Sequence, residues 1–339
     1  MLRTAVVILV AVCGFAWGCA MDVRKDGTAA AGWAIAIHGG AGAIQRNESK
    51  ELEAAYRASL RKVLQEGKVR LSSGESAIDV CEALVRMMED DELFNAGKGA
   101  TLTETGEVEL DAAIMDGGTG RESGARAGAV AGVKTVKNPI SLARRVMEST
   151  PHVMLIGDGA EEFATAVGVE RVPNASFITD RRRSQLEREL LKRKKAERRD
   201  SSDARYGTVG VVTIDCSGRL AAATSTGGMT GKMRGRVGDA PIIGAGTFAN
   251  QVVAISCTGT GEQFIRHAVA SGVAARMSLL GEDVKRASDH FIFTVLKPQD
   301  GGMIAVDARG NIAMPFSSAG MYRGAANSEG RFEVRIWEE

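Results

Sequence analysis

The chain is poor in the residues that usually announce a site. Its four histidines, His38, His152, His267 and His290, have neither HxxxH nor triad spacing, so each reads as structural. Of five cysteines, two fall within the first twenty residues, and Cys81, Cys216 and Cys257 are too scattered for a metal quartet. Charge of one sign is also lacking: 43 Lys and Arg against 42 Asp and Glu leave +1 over 339 residues. No whole-chain attraction for nucleic acid or an acidic partner follows. Proline is scarce, six residues against 41 glycines. The glycines gather in short groups without a collagen period, a pattern that fits close backbone approach at a site.

The leading apolar run, Thr4 to Val12, is too short for a spanning helix. With Arg3 before it and Ala16-Trp17-Gly18-Cys19-Ala20 after it, residues 1–20 have the pattern of an export signal. Cys19 resembles a bacterial lipoprotein cleavage site, with Trp17 unusual at its position. The expectation is an exported protein, periplasmic or lipid-anchored to the envelope through Cys19.

Strand and helix signals then alternate. Trp33–His38 reads as a strand and Gly39-Gly40-Ala41-Gly42 as the turn after it. That turn is not GxGxxG and no GK[ST] follows, which argues against a nucleotide site. Apolar spacing predicts helices over Ser49–Gln65, stopped by Gly67, and over Ser76–Met88. The acidic group Glu89-Asp90-Asp91-Glu92 lacks the alternating carboxylates of a calcium loop and reads as a solvated helix end. Ala127–Val133 is a buried strand, and Asn138-Pro139 caps a helix running to about Met147. The alternation defines a mixed α/β fold. From Asp180 to Arg205 come eleven Lys or Arg residues and no aromatic residue to stack on bases. Residues 174–206 therefore read as a mobile, solvated linker rather than a nucleic-acid surface.

After that linker, Tyr206-Gly207-Thr208 opens a β-branched run, Val209 to Ile214. A turn at Asp215-Cys216-Ser217-Gly218 sends the chain back along Leu220 to Ser225. By itself a threonine at a strand start is ordinary. Cutting before Thr208 would place a free α-amine beside its hydroxyl, and an amine of pKa about 7.7 to 8.0 can take the hydroxyl proton near neutrality. Arg236 offers a fork suited to a carboxylate and Asp239 a charge suited to an ammonium, although spacing alone fits an exposed ion pair equally well. Thr258 and Gly259 follow an apolar strand, where a hydroxyl and a bare N–H can converge on an oxyanion. Thr226 lies on the strand paired with that of Thr208, close enough to orient its hydroxyl. Two further helices are expected over Glu262–Leu280, ended by Gly281, and over Asp283–Leu296.

Four stretches together resemble one family: Gly207-Thr208-Val209-Gly210, Thr224-Ser225-Thr226-Gly227-Gly228-Met229, Gly235-Arg236-Val237-Gly238-Asp239 and Cys257-Thr258-Gly259-Thr260-Gly261-Glu262. They are similar to the plant-type asparaginases and isoaspartyl peptidases among the N-terminal-nucleophile hydrolases, from Trp33 to about Arg323. The resemblance implies a four-layer αββα sandwich that cuts itself between Gly207 and Thr208. It implies an α subunit of residues 21–207 and a β subunit of residues 208–339, paired as a dimer of cleaved protomers. The substrates implied are isoaspartyl dipeptides and L-asparagine, attacked by Thr208. Substrate binding falls to Arg236, Val237, Gly238, Asp239, Thr258, Gly259, Thr260 and Gly261. No catalytic cofactor is implied, only a structural sodium held by the backbone carbonyls of Met88, Glu89, Asp91, Phe94, Ala96 and Lys98.

Glycosylasparaginases and taspase-like proteases resemble the chain too. Gly207 and Gly227 replace the Asp and Asn usual in glycosylasparaginases. Phe316-Ser317-Ser318 departs from the asparaginase pattern and leaves fine substrate preference open. An exported, unprocessed binding protein on the same fold is the remaining alternative.

Overall fold

Apolar residues on both faces of the central strands decide the architecture. In β1 (Ala34–Ala41), Ile35 and Ile37 enter one core while Ala34 and Ala36 enter another. Such two-faced burial requires cover on each side of the sheet. The computed structural model describes residues 32–42, 49–118, 124–195 and 207–338. After β1 come α1 (Lys50–Ser72), α2 (Ala77–Glu89), β2 (Leu110–Asp116), β3 (Arg126–Val133), α3 (Pro139–Ser149), β4 (Met154–Ile156), α4 (Gly157–Ala166) and α5 (Asp180–Lys195). The remainder runs β5 (Val209–Ile214), β6 (Leu220–Thr226), β7 (Thr247–Ala249), β8 (Val253–Gly259), α6 (Gly261–Arg266), α7 (Val269–Leu280), α8 (Val284–His290), β9 (Gly301–Asp307), β10 (Ile312–Ala313), β11 (Met321–Asn327) and β12 (Phe332–Arg335).

Eight strands form one sheet in the order β12-β11-β1-β5-β6-β2-β3-β4, and four form a second in the order β10-β9-β8-β7. Residues of α1, α2 and α3 share the first core with the large sheet. Ala36, Val212 and Ala222 meet Ala254, Ile304 and Val306 in a second core between the sheets. The third unites β8 and β9 with α7 and α8.

Several sequence expectations change in the folded chain. Gly67 does not stop α1; it is buried inside the helix, where an added Cβ would come within 2.7 Å of both Ile35 Cδ1 and Leu84 Cδ1. The turn predicted at Gly39–Gly42 is instead the end of β1, which carries a register shift between His38 and Gly40. The long helix expected from Glu262 breaks between α6 and α7 at Ala268, whose φ of 45° is left-handed. Asn138 makes no side-chain cap; its amide donates to Asp90 Oδ1 at 3.2 Å.

The expected mobile linker is also corrected over 180–195, which forms α5 with Arg182, Leu186 and Glu189 buried. Its charges conceal an anchoring side that a composition argument averages away. Residues 196–206, and the residues 1–20 that suggested an export signal, lie outside the described residues.

Candidate active site

Thr208 stands immediately before β5, between the ends of β1 and β6, and is 7% exposed. Its hydroxyl donates to Thr226 Oγ1 at 3.2 Å, and Thr226 Oγ1 donates in turn to the Gly207 carbonyl at 3.1 Å. A second donor reaches that carbonyl: Asn95 Nδ2, at 2.6 Å. The same amide donates to Gly228 O at 2.7 Å, while Asn95 Oδ1 accepts from Thr101 N at 2.7 Å. The peptide bond before Thr208 is therefore polarised by an amide and a hydroxyl aimed at one oxygen. Asn95 was not singled out from sequence. Its one visible signal is a place in a Gly-bearing loop, which does not distinguish it from a turn residue.

The Thr208 backbone is held as well. His38 Nδ1 donates to Thr208 O at 2.9 Å, which fixes the tautomer and leaves Nε2 to accept from Ser256 Oγ at 2.9 Å. Ser256 then accepts from Thr224 at 2.7 Å. Complete burial drives the His38 pKa down to about 3, so the ring is neutral and acts as a structural link. Gly40, at φ +115°, is pressed against the same bond: a Cβ there would lie 2.8 Å from Gly207 Cα.

Thr258, fully buried at the end of β8, accepts from Ala41 N at 3.2 Å and keeps its own proton to donate. Ala41 follows Gly40, so β1 links Thr258 to the Gly207–Thr208 bond. Gly259 closes β8 at φ 150°, and Thr260 N donates to Asp300 O at 2.7 Å.

Arg236 and Asp239 come together. The Arg236 fork is engaged by Glu262, with Nε to Oε1 and Nη2 to Oε2 both at 2.9 Å, which leaves the other N–H groups for a second anion. Gly261 sits between the pair: an added Cβ would lie 2.8 Å from Asp239 Oδ1 and 3.0 Å from Arg236 Nη2. Asp239 Oδ2 is buried without a hydrogen-bond partner. Burial lifts the pKa of this carboxyl to about 7, against the pull of Arg236. A buried carboxylate with one oxygen unpartnered, beside a held guanidinium, suits the ammonium and carboxylate of an amino acid. Val237 points elsewhere, lining with Gly235 and Arg234 a cavity of about 860 Å³ that includes neither Thr208 nor Arg236.

No cluster of His, Cys, Asp or Glu suited to a metal occurs among the described residues. Backbone oxygens are a different matter. The loop from Met88 to Lys98 coils tightly, with Lys98 N donating to Glu89 O at 2.7 Å and Phe94 N to Asp91 O at 3.1 Å. Glu89, Phe94, Asn95 and Ala96 are buried there. Backbone carbonyls are a donor type that hard cations take, and this partly buried loop is rich in them.

The two-sheet α/β fold, with two donors aimed at the Gly207 carbonyl, is that of a hydrolase family. Residues 31–336 match the asparaginase family, and the chain belongs to it. It is 49% identical over 300 residues to the isoaspartyl peptidase of Escherichia coli, covering 85% of this chain and 91% of that protein. It is 44% identical over 331 residues to the probable isoaspartyl peptidase/L-asparaginase 2 of Arabidopsis thaliana, covering 91% and 99%. With the plant-type L-asparaginase of Thermococcus kodakarensis it shares 43% over 292 residues, covering 82% and 91%.

These relatives correct the expected location. Such enzymes are mostly cytosolic, which overturns the reading as an exported, periplasmic or lipid-anchored protein. The apolar run and Cys19 that prompted it precede the matched span. No described helix is long and apolar enough to cross a membrane.

Proposed function

We propose that the chain is a threonine amidohydrolase that cuts itself before Thr208 and then hydrolyses isoaspartyl dipeptides and L-asparagine. The observation that carries the reading is the Gly207 carbonyl, which accepts from Asn95 and Thr226 while the Thr208 hydroxyl stands 3.2 Å from Thr226. In self-cleavage, Thr208 Oγ attacks the Gly207 carbonyl carbon, and negative charge collects on the oxygen that Asn95 and Thr226 already hold. The proton that Thr208 Oγ gives up passes to the Thr208 amide nitrogen, whose bond to the Gly207 carbonyl carbon breaks, which gives an ester and a free amine. Water hydrolyses the ester to a Gly207 carboxylate and a free Thr208 amine and hydroxyl.

Turnover repeats the chemistry on a substrate. Arg236 binds the α-carboxylate and Asp239 the α-ammonium, which brings the β-carbonyl to Thr208. The freed amine takes the hydroxyl proton as a β-aspartyl ester forms and ammonia or an amino acid departs. Thr258 and Gly259 serve the oxyanion of this second reaction, and water releases aspartate. Val237, Gly238, Thr260 and Gly261 shape the binding loops. Relatives named isoaspartyl peptidase and L-asparaginase support this substrate class over the glycosylasparaginase or taspase alternatives.

The finer architecture belongs to the same reading: a four-layer αββα sandwich of the N-terminal-nucleophile type, with residues 21–207 as α subunit and 208–339 as β subunit. Two cleaved protomers form the assembly. The carbonyls of Met88, Glu89, Asp91, Phe94, Ala96 and Lys98 would hold a structural sodium, which would supply no reaction step. Its effect there would be to stiffen the loop that carries Asn95.

Purified protein should resolve into two fragments, the second beginning at Thr208, and should release ammonia from asparagine and aspartate from isoaspartyl-leucine. An unbroken chain that still releases aspartate would overturn the mechanism.

A further inference from the structure

Helix α5, which precedes the scissile bond, grips both loops that position Asn95. On one side, Arg181 Nη2 donates to Glu92 O at 2.9 Å and to Leu93 O at 2.6 Å, and Arg182 Nε donates to Gly99 O. These carbonyls bracket Asn95 in sequence. On the other side, Arg193 Nη1 donates to Gly231 O at 2.7 Å and Nη2 to Thr230 O at 3.3 Å, just beyond Gly228. Gly228 is the second acceptor of the Asn95 amide. The two loops that share the Asn95 hydrogen bonds are thus both tied to one helix.

The attachment is specific in its chemistry. Leu186 and Glu189 are buried, and Glu189 Oε1 accepts from Arg193 Nε at 2.9 Å, which orients the guanidinium toward the loop. A planar fork can bridge two neighbouring carbonyls, whereas an ammonium is a single point. Arg188 on the same helix is exposed.

We propose that α5 is a positioning clasp: through Arg181, Arg182 and Arg193 it holds the two loops in the register that aims Asn95 at the Gly207 carbonyl, and so sets the rate of self-cleavage. The proposal rests on the self-cleaving reading above. The clasp lies wholly before the bond to be cut, so it acts on the unbroken chain.

The test follows loss of the full-length band after pulse-labelled synthesis of the whole chain, with Tm measured on the same proteins. Arg193→Ala and Arg182→Ala are expected to slow conversion by about 10- to 100-fold, the scale of a misplacement of about 1 Å at a reacting group. Arg193→Ala with Glu189→Gln, which removes the guanidinium together with the buried Glu189 charge it pairs with, should slow conversion as Arg193→Ala does and keep Tm close to wild type. Arg193→Lys should recover part of the rate, and Arg188→Ala should convert as wild type does. Wild-type conversion with unchanged rates in both alanine variants overturns the clasp and leaves self-cleavage standing. Slowing shared by Arg188→Ala, or matched by a fall in Tm, overturns it as general destabilisation. A wild-type chain that never converts removes the self-cleaving reading itself, and the clasp with it.

Discussion

The Gly207 carbonyl takes hydrogen bonds from an amide and a hydroxyl, and the two donors have different freedom. Thr226 Oγ1 also accepts from Thr208 and from Gly228 N at 2.9 Å, so it can pass a proton along. Asn95 can only hold. Asn95→Ala is therefore expected to slow self-cleavage by roughly 10²- to 10³-fold, the loss of about 2.7–4 kcal/mol for one oxyanion donor. Intact-mass measurements over time will read it. Thr208→Ala should keep the full-length mass indefinitely and release no ammonia from asparagine; an alanine variant that is fully cut and active would contradict the assignment. The Asp239 carboxyl, raised to about 7 by burial, must be ionised to hold an ammonium. Activity at low substrate, kcat/KM, should fall as pH drops below about 7. The Thr208 amine, with its ordinary pKa of roughly 7.7–8.0, steepens the same limb. A flat profile between pH 6 and 8, each taken as about a whole unit, would remove both roles.

Elements were legible where periodicity was strong. Leu60 and Val63 on α1 and the β-branched run of β5 fold as their patterns indicate. Failures came where one residue type has two uses. Gly67 looks like a helix stop, yet its missing side chain lets Ile35 and Leu84 close on the helix. Gly67→Leu should cost about 1–3 kcal/mol by overpacking, read as a lower Tm. The arginines of α5 look solvated, yet several spend their donors on carbonyls tens of residues away, which no local pattern can reveal. Thr208, Arg236 and Asp239 could be singled out because they sit in compact motifs. Asn95 and His38 gain their roles only when distant segments meet.

His38 also gives a pH test at the level of the strand it belongs to. Its folded pKa lies near 3, below the unfolded 6.5, so the unfolded chain binds a proton that the folded chain refuses. Stability should fall as pH drops from about 6.5 towards 3. His38→Gln should flatten that part of the Tm profile.

At the scale of the whole molecule, a cut at Thr208 does not divide the sheet into halves. β1 lies between β11 and β5, and β2 pairs with β6, so strands from before and after the cut alternate in partnership. The fragments should travel together in size-exclusion chromatography under native conditions and separate on a denaturing gel. Regain of structure after denaturation should depend on concentration for cut protein and not for Thr208→Ala.

The wedging of β1 between two later strands makes the cut a matter of history. A newborn chain carries every neighbour it needs on a single tether and can find them at any dilution. Once severed, the same molecule is two strangers that must meet again in solution, so a loss of shape that an uncut chain would repair alone becomes an encounter problem.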